Sequence, residues 1–210
     1  MDERLKQLEA IARRYYKKDG QNQWPHIQRV VQQAELLAKY RGKALDETEL
    51  AALYFHDVDK NKSGEMDHGA YAALRMKEIL KGKIAERRLQ IAANAVADHN
   101  LDKPSRSAVG DLLRSADANK PDLDWFLRKS YNKMTGKGLT HDQALANALD
   151  KAQEHVHTAG HLNNPPKMYT ELFAKEIAKA NREADRLKLE EVWGRIQRYN
   201  EQHPDESVYT

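Results

Sequence analysis

The stretch Asp46-Glu47-Thr48-Glu49-Leu50-Ala51-Ala52-Leu53-Tyr54-Phe55-His56-Asp57 decides how this chain is read. Asp46 followed by Glu49 is the pattern of a capping box, in which each side chain takes a backbone N–H that the first turn would leave unpaired. Leu50, Ala51, Leu53 and Tyr54 behind it predict an apolar helix that closes at His56-Asp57. At a helix end, polar side chains can turn out of an apolar layer into a cleft.

Working outward from that helix, the same pattern recurs. Upstream, Leu5, Leu8, Ile11, Ala12 and Tyr15 predict an amphipathic helix over 2–18, broken by Asp19-Gly20-Gln21-Asn22. Pro25 suits the first turn of the next helix, since its missing N–H would have no partner there. That helix carries Val30, Ala34, Leu37 and Ala38 on one face and ends near Gly42. Downstream, a polar connector from Asp59 to Asp67 leads to His68 at the head of a helix through Tyr71, Leu74 and Ile79 to Gly82. Another runs from Ile84 through Leu89, Ile91, Ala95 and Val96 to Asp98-His99. Val109, Leu112, Leu113 and Ala116 then lead to Asp117, before a stop at Pro121.

The second half predicts a short helix from Leu123 to Met134 and, behind the capping box Thr140-x-x-Gln143, a helix to about His157. Asn163-Asn164-Pro165-Pro166 is the strongest breaker in the chain. Beyond it Phe173, Ile177, Ala180, Ala184 and Leu187, extended by Trp193 and Ile196, predict one long helix over about 167–199. Its apolar line either packs on the core or forms the seam of a homodimer. No convincing strand and no internal repeat is present. The expectation is an all-α protein, a helical core over 1–121 and a helical extension over 122–210 packed on it.

Composition narrows the chemistry. The 210 residues are 40% hydrophobic and 32% charged and contain no cysteine. That removes disulfides, thiolate metal sites, iron–sulfur clusters and a cysteine nucleophile together. A formal charge of +3 permits a polyanionic substrate without demanding one. Residues 1–19 are charged throughout and no apolar run reaches membrane-spanning length, so a cytoplasmic protein without a membrane partner is expected.

His26, His56, Asp57, His68, His99 and Asp117 are the candidate metal ligands, almost all at a helix end or in its last turn. Imidazole and carboxylate without thiolate favour one or two divalent ions such as Mn, Fe, Co or Ni over Mg or Zn. Six ligands suffice for a pair of ions, with the Asp57 carboxylate bridging them. Arg29 follows His26 by three residues, Arg114 precedes Asp117 by three, and Lys60 follows the doublet, so each is a candidate for holding phosphate. Lys60 and Arg114 are also candidates for assisting the reaction, with Asp59 as an extra carboxylate to orient water or act as a base. His155, His157 and His161 fall where Gly160 and Asn163 end a helix and are read as surface residues.

From Trp24-Pro25-His26-Ile27-Gln28-Arg29-Val30 through His56-Asp57 to Ser115-Ala116-Asp117, the sequence resembles the HD-domain metal-dependent phosphohydrolases, over residues 24–121. The resemblance implies an HD-domain helical bundle with His26, His56, Asp57 and Asp117 as the minimal ligand set. His68 in Asp67-His68-Gly69-Ala70 and His99 in Ala97-Asp98-His99-Asn100 stand where two-metal members add two histidines. The His-Gly element and the Ala116 to Pro121 ending look closest to the branch that cleaves dinucleoside polyphosphates. The implied activity is hydrolysis of a phosphoester or phosphoanhydride in a small phosphorylated, nucleotide-type substrate by a metal-activated water. Two other readings stand beside it. An HD-type nuclease acting on single-stranded nucleic acid would need stacking aromatics, yet most near the motif sit at core spacing. A non-catalytic HD binding or signalling domain would typically have lost a ligand, and this sequence keeps six.

Overall fold

The computed structural model describes residues 3–16, 24–100, 105–118, 122–157 and 167–203, with backbone alone at 3, 4, 61, 155–157 and 167. The helices are α1 (Glu3–Tyr16), α2 (Trp24–Tyr40), α3 (Glu47–Phe55), α4 (His68–Leu80), α5 (Glu86–Ala97) and α6 (Ala108–Asp117). They continue as α7 (Leu123–Thr135), α8 (His141–His157), α9 (Lys167–Leu172), α10 (Ala174–Arg186) and α11 (Leu189–Gln202), with a 3-10 turn at Lys60–Lys62. Among the described residues there is no strand, and the protein is all-α as its sequence predicts. The helices form two compact units, one of α1–α6 with α9, the other of α7, α8, α10 and α11.

In the first unit α3 is the inner helix. It packs against α1, α2, α4, α5 and α6, and every residue from Leu50 to Phe55 is buried. A helix that is apolar all round has no face to give to solvent. Its first turn is fixed as predicted. Asp46 Oδ1 accepts from the N–H groups of Thr48 (2.8 Å) and Glu49 (3.0 Å), and Glu49 Oε2 accepts from Asp46 N (3.1 Å). The other Glu49 oxygen is held by Arg41 (3.1 Å) and Lys43 (2.8 Å), which is how a carboxylate tolerates burial. With one end anchored, the other carries His56-Asp57 into the interior. The helices α4 and α5 form a hairpin beside it, and α9 packs on α2 and α6.

The second unit is built on the hairpin of α7 and α8, whose Leu123, Phe126, Leu127, Leu145, Ala148 and Ala152 bury against Ala184, Leu187, Val192 and Ile196. The Thr140–Gln143 box opens α8, with Thr140 N donating to Gln143 Oε1 at 3.1 Å. The single helix expected over 167–199 is three helices. It breaks at Phe173 (ψ 19°) and again at Leu187 (ψ 130°). Unbroken it would extend about 50 Å, twice the roughly 20–25 Å of α7 and α8. Broken at Leu187, it lays both α10 and α11 on that hairpin, while α9 belongs to the first unit. Glu191 Oε2 accepts from Lys188 N at 3.0 Å and starts α11 without glycine or proline. Of the line a dimer seam would have used, Phe173, Ala180, Ala184, Leu187 and Ile196 are buried, while Ile177 and Trp193 are half-buried. No described helix is long and apolar enough to cross a membrane.

Candidate metal centre

Five elements of the first unit bring the six predicted ligands together. The C-terminal end of α3 supplies His56 and Asp57, the start of α2 His26 and the end of α6 Asp117, while the α4–α5 hairpin supplies His68 and His99. They form two groups, His26–His56–Asp117 and Asp57–His68–His99, in each of which the ligand atoms lie within 4.8 Å of one another. The Nε2 atoms of His26 and His56 are 3.2 Å apart, as are those of His68 and His99. Asp117 Oδ1 is 3.3 Å from His26 Nε2 and 3.5 Å from His56 Nε2. Two nitrogens bound at about 2.0–2.1 Å to one ion sit roughly 2.9–3.4 Å apart, so these spacings suit a shared cation.

The orientation of the inner histidines is compatible with that. His56 Nδ1 lies 2.9 Å from Leu53 O, and His99 Nδ1 lies 2.6 Å from Val96 O. A carbonyl only accepts, so each Nδ1 carries a proton and each Nε2 is turned toward its partners, the arrangement by which backbone groups fix the tautomer of a metal-ligating imidazole.

Asp57 stands between the groups. Its Oδ2 is 3.8 Å from both His26 Nε2 and His56 Nε2, and its Oδ1 is 3.6 Å from His99 Nε2 and 4.0 Å from His68 Nε2. Oδ1 is buried and has no hydrogen-bond partner. A buried carboxylate oxygen without a donor costs on the order of 1–3 kcal/mol or more, a deficit that a cation would remove. Burial works to raise the Asp57 pKa, but the charge of His56 outweighs it, with His99 and Lys60 acting the same way, and the carboxyl is held well below its usual range. Burial is likewise outweighed at Asp117, by hydrogen bonds from His26 and His56. For His56, burial works downward, yet the Asp57 and Asp117 carboxylates raise its pKa to about 9. Its second proton would sit on Nε2, the position a metal ion would otherwise take. His68 is shifted down by burial, with His99 and Lys60 pushing the same way. Two ionised carboxylates and four imidazoles thus face one another with a demand for positive charge at their centre.

Glycine 69, quoted above only within the His68 motif, shapes the second group. A Cβ there would come within 2.8 Å of Val96 O and 3.0 Å of His99 Nδ1. Its absence lets the start of α4 close on the end of α5. Asp67 caps that start, accepting from Gly69 N and Ala70 N at 3.1 Å, and Asn100 Nδ2 donates to its other oxygen at 3.4 Å.

The flanking candidates are placed unevenly. Lys60 Nζ donates to Asp57 Oδ2 at 3.0 Å from a side chain 42% exposed, so it stands at the edge of the site. Arg29 Nη2 lies 3.3 Å from His26 Nδ1, and its Nε is buried without a partner. The other two are placed differently from the expectation. Arg114 is only 1% exposed, enclosed in the unit, so it is not presented to an incoming substrate. Asp59 has both oxygens occupied, by Lys62 Nζ at 2.7 Å and Arg75 Nε at 2.9 Å, which leaves it poorly placed as a base. It also takes a left-handed backbone, φ 55°, that aspartate tolerates better than most residues, and so shapes the turn after the doublet. His161 and the side chains of His155 and His157 lie outside the described residues. No protein-family model, no curated protein and no solved structure matches this chain.

Proposed function

We propose that this protein is a metal-dependent phosphohydrolase of the HD type, cleaving a phosphoester or phosphoanhydride bond in a nucleotide-type substrate. The observation that carries the reading is Asp57, a buried carboxylate with one partnerless oxygen, set between the His26–His56–Asp117 group and the His68–His99 pair. The order of ligands along the chain, His26, His56-Asp57, His68, His99, Asp117, is the order the resemblance implies. The donor set fits the group: four imidazole nitrogens and two carboxylates suit Mn, Fe, Co or Ni. His26, His56 and Asp117 would hold one ion, His68 and His99 the other, with Asp57 between. Divalent ions at such a site supply a more acidic water and neutralise charge on phosphoryl oxygens.

The chain's own residues define the approach. His26, His68 and Asp117 keep side-chain exposures of 19%, 28% and 18%, while His56 and His99 are closed off, so a substrate meets the first three. Lys60 at that edge can exchange its contact with Asp57 for a phosphoryl oxygen. Its pKa is raised because the Asp57 charge outweighs burial, so it stays cationic. Arg29 brings a second cation beside His26.

The test is elemental analysis of protein purified without chelator, followed by a panel of mono-, di- and triphosphates, dinucleotides and cyclic nucleotides with Mn, Co, Fe, Ni and Mg. Bound transition metal and metal-dependent turnover are expected for the natural chain. Asp57→Ala should lose both while keeping its helical circular dichroism. Undiminished turnover by Asp57→Ala would sink the proposal.

A further inference from the structure

We infer that Gln33, which is not a ligand, is a positioning residue that holds Asp117 in place for the ion of the His26–His56–Asp117 group. The inference rests on the metal reading above. Gln33 follows His26 on α2 by seven residues, two helical turns, and so shares its inward face. Its side chain is buried, and its amide nitrogen donates to two backbone carbonyls, Ser115 O at 2.9 Å and Ala118 O at 2.7 Å. Both partners only accept, so the amide nitrogen must face them.

Those two carbonyls bracket Asp117. The helix α6 ends there, and its last carbonyls have no intrahelical N–H to bind. Ala118 already leaves the helix, with ψ 104°. An unsupported last turn frays, whereas a ligand must be held within about 0.5 Å to serve a metal. By tying the Ser115 and Ala118 carbonyls, two residues before Asp117 and one after it, to α2, Gln33 fixes the direction of Asp117 relative to His26, 3.3 Å away. An apolar side chain of similar volume would fill the space without burying an amide. Gln33 therefore does for the Asp117 backbone what Leu53 O and Val96 O do for the rings of His56 and His99.

The experiment is a Mn2+ titration of chelator-stripped protein, with free Mn2+ read by electron paramagnetic resonance. The parent is the His68→Gln/His99→Gln variant, in which only the Gln33-supported group remains. Adding Gln33→Met should weaken its Mn2+ affinity by roughly 10–100-fold, the usual cost of losing an outer hydrogen bond at a metal site. In the otherwise natural chain the same substitution should weaken one ion and leave the other. Gln33→Asn keeps the amide on a shorter arm and should fall between; it decides the matter if Gln33→Met does not fold. A purely structural Gln33 would lower the melting temperature of the stripped protein and leave Mn2+ affinity equal to the parent's, which would overturn the inference. A parent and natural chain that bind no Mn2+ would overturn the metal reading, and this one with it.

Discussion

The substitution Gly69→Ala should separate the two proposed metal positions. The added methyl would lie 2.8 Å from Val96 O, 3.0 Å from His99 Nδ1 and 3.1 Å from Ala97 O. Two of these neighbours are backbone. The third is a ring held by its own contact with Val96 O at 2.6 Å, so none can swing aside. Relief must come from the start of α4 backing away from the end of α5 by about half an ångström, and His68 moves with it. The His68–His99 spacing of 3.2 Å then opens toward a distance one ion spans poorly. Overpacking of this kind costs about 1–3 kcal/mol of stability. At the metal, a displacement of that size should weaken the second ion by about 10–100-fold.

The assay is metal stoichiometry at micromolar free Mn2+, with two ions expected for the natural chain and one for Gly69→Ala. Gly82→Ala is the control. Gly82 has φ +72° and nothing within 4 Å of a would-be Cβ, so alanine there costs about 1–2 kcal/mol of backbone strain without pushing a ligand. Loss of stability alone cannot then explain loss of the second ion. Two ions bound by Gly69→Ala with unchanged affinity would refute the steric argument.

Other outcomes test separate parts of the structure. Stripping the metal should lower the melting temperature, because ligand at 100 times its Kd adds about 2.7 kcal/mol; identical melts with and without chelator would count against a resident ion. Lys60→Met should lower kcat/KM about 10-fold or more with bound metal unchanged, measured on whichever nucleotide is turned over; loss of metal instead would make Lys60 a support for Asp57. Asp59→Asn should weaken the clamp to Lys62 and Arg75 and lower stability by about 1 kcal/mol in urea melts, with no loss of the pH-dependent rate limb expected of a missing base. In the second unit, the hydrogen bond from Arg195 holds the Glu183 pKa below its ordinary value. Its stabilisation is therefore present above that ordinary value and disappears as pH falls through the lowered one. Natural chain and Glu183→Gln should differ by up to about 1 kcal/mol near pH 6 and converge as the pH falls through the lowered pKa; a constant difference would assign the effect to packing.

Most of the helices were legible because their signals are local. Asp46 with Glu49 and Thr140 with Gln143 are capping pairs that the backbone geometry realises, and glycine or proline sits at most other ends. The break at Leu187 had no such signal, since Arg186-Leu187-Lys188 is compatible with a continuing helix. What ends α10 there is the chance to bury Leu187 and then Val192 and Ile196 on the α7–α8 hairpin, a tertiary gain that propensity does not encode. At the site, residue type and order led to the six side chains that the structure brings together in two groups. The burial of Arg114 and the double pairing of Asp59 depend on neighbours far along the chain, Arg75 for one. Gln33 carried no local mark, because a glutamine on a helix is ordinary until its partners on α6 are seen.

The two ligand groups differ in how they are assembled, and that difference has consequences. His26, His56 and Asp117 come from α2, α3 and α6, three elements that meet only when the unit has folded, with Gln33 tying α2 to α6. His68 and His99 come from one hairpin, α4 and α5, whose close approach depends on a single missing Cβ. The first position is thus a property of the whole unit, and disturbing it means disturbing its packing. The second can be lost through one local change, and Asp57, anchored at the end of the buried α3, would remain as a terminal ligand of the first. If the proposed ions are bound, their number should accordingly respond to substitutions at the α4–α5 contact long before the fold does.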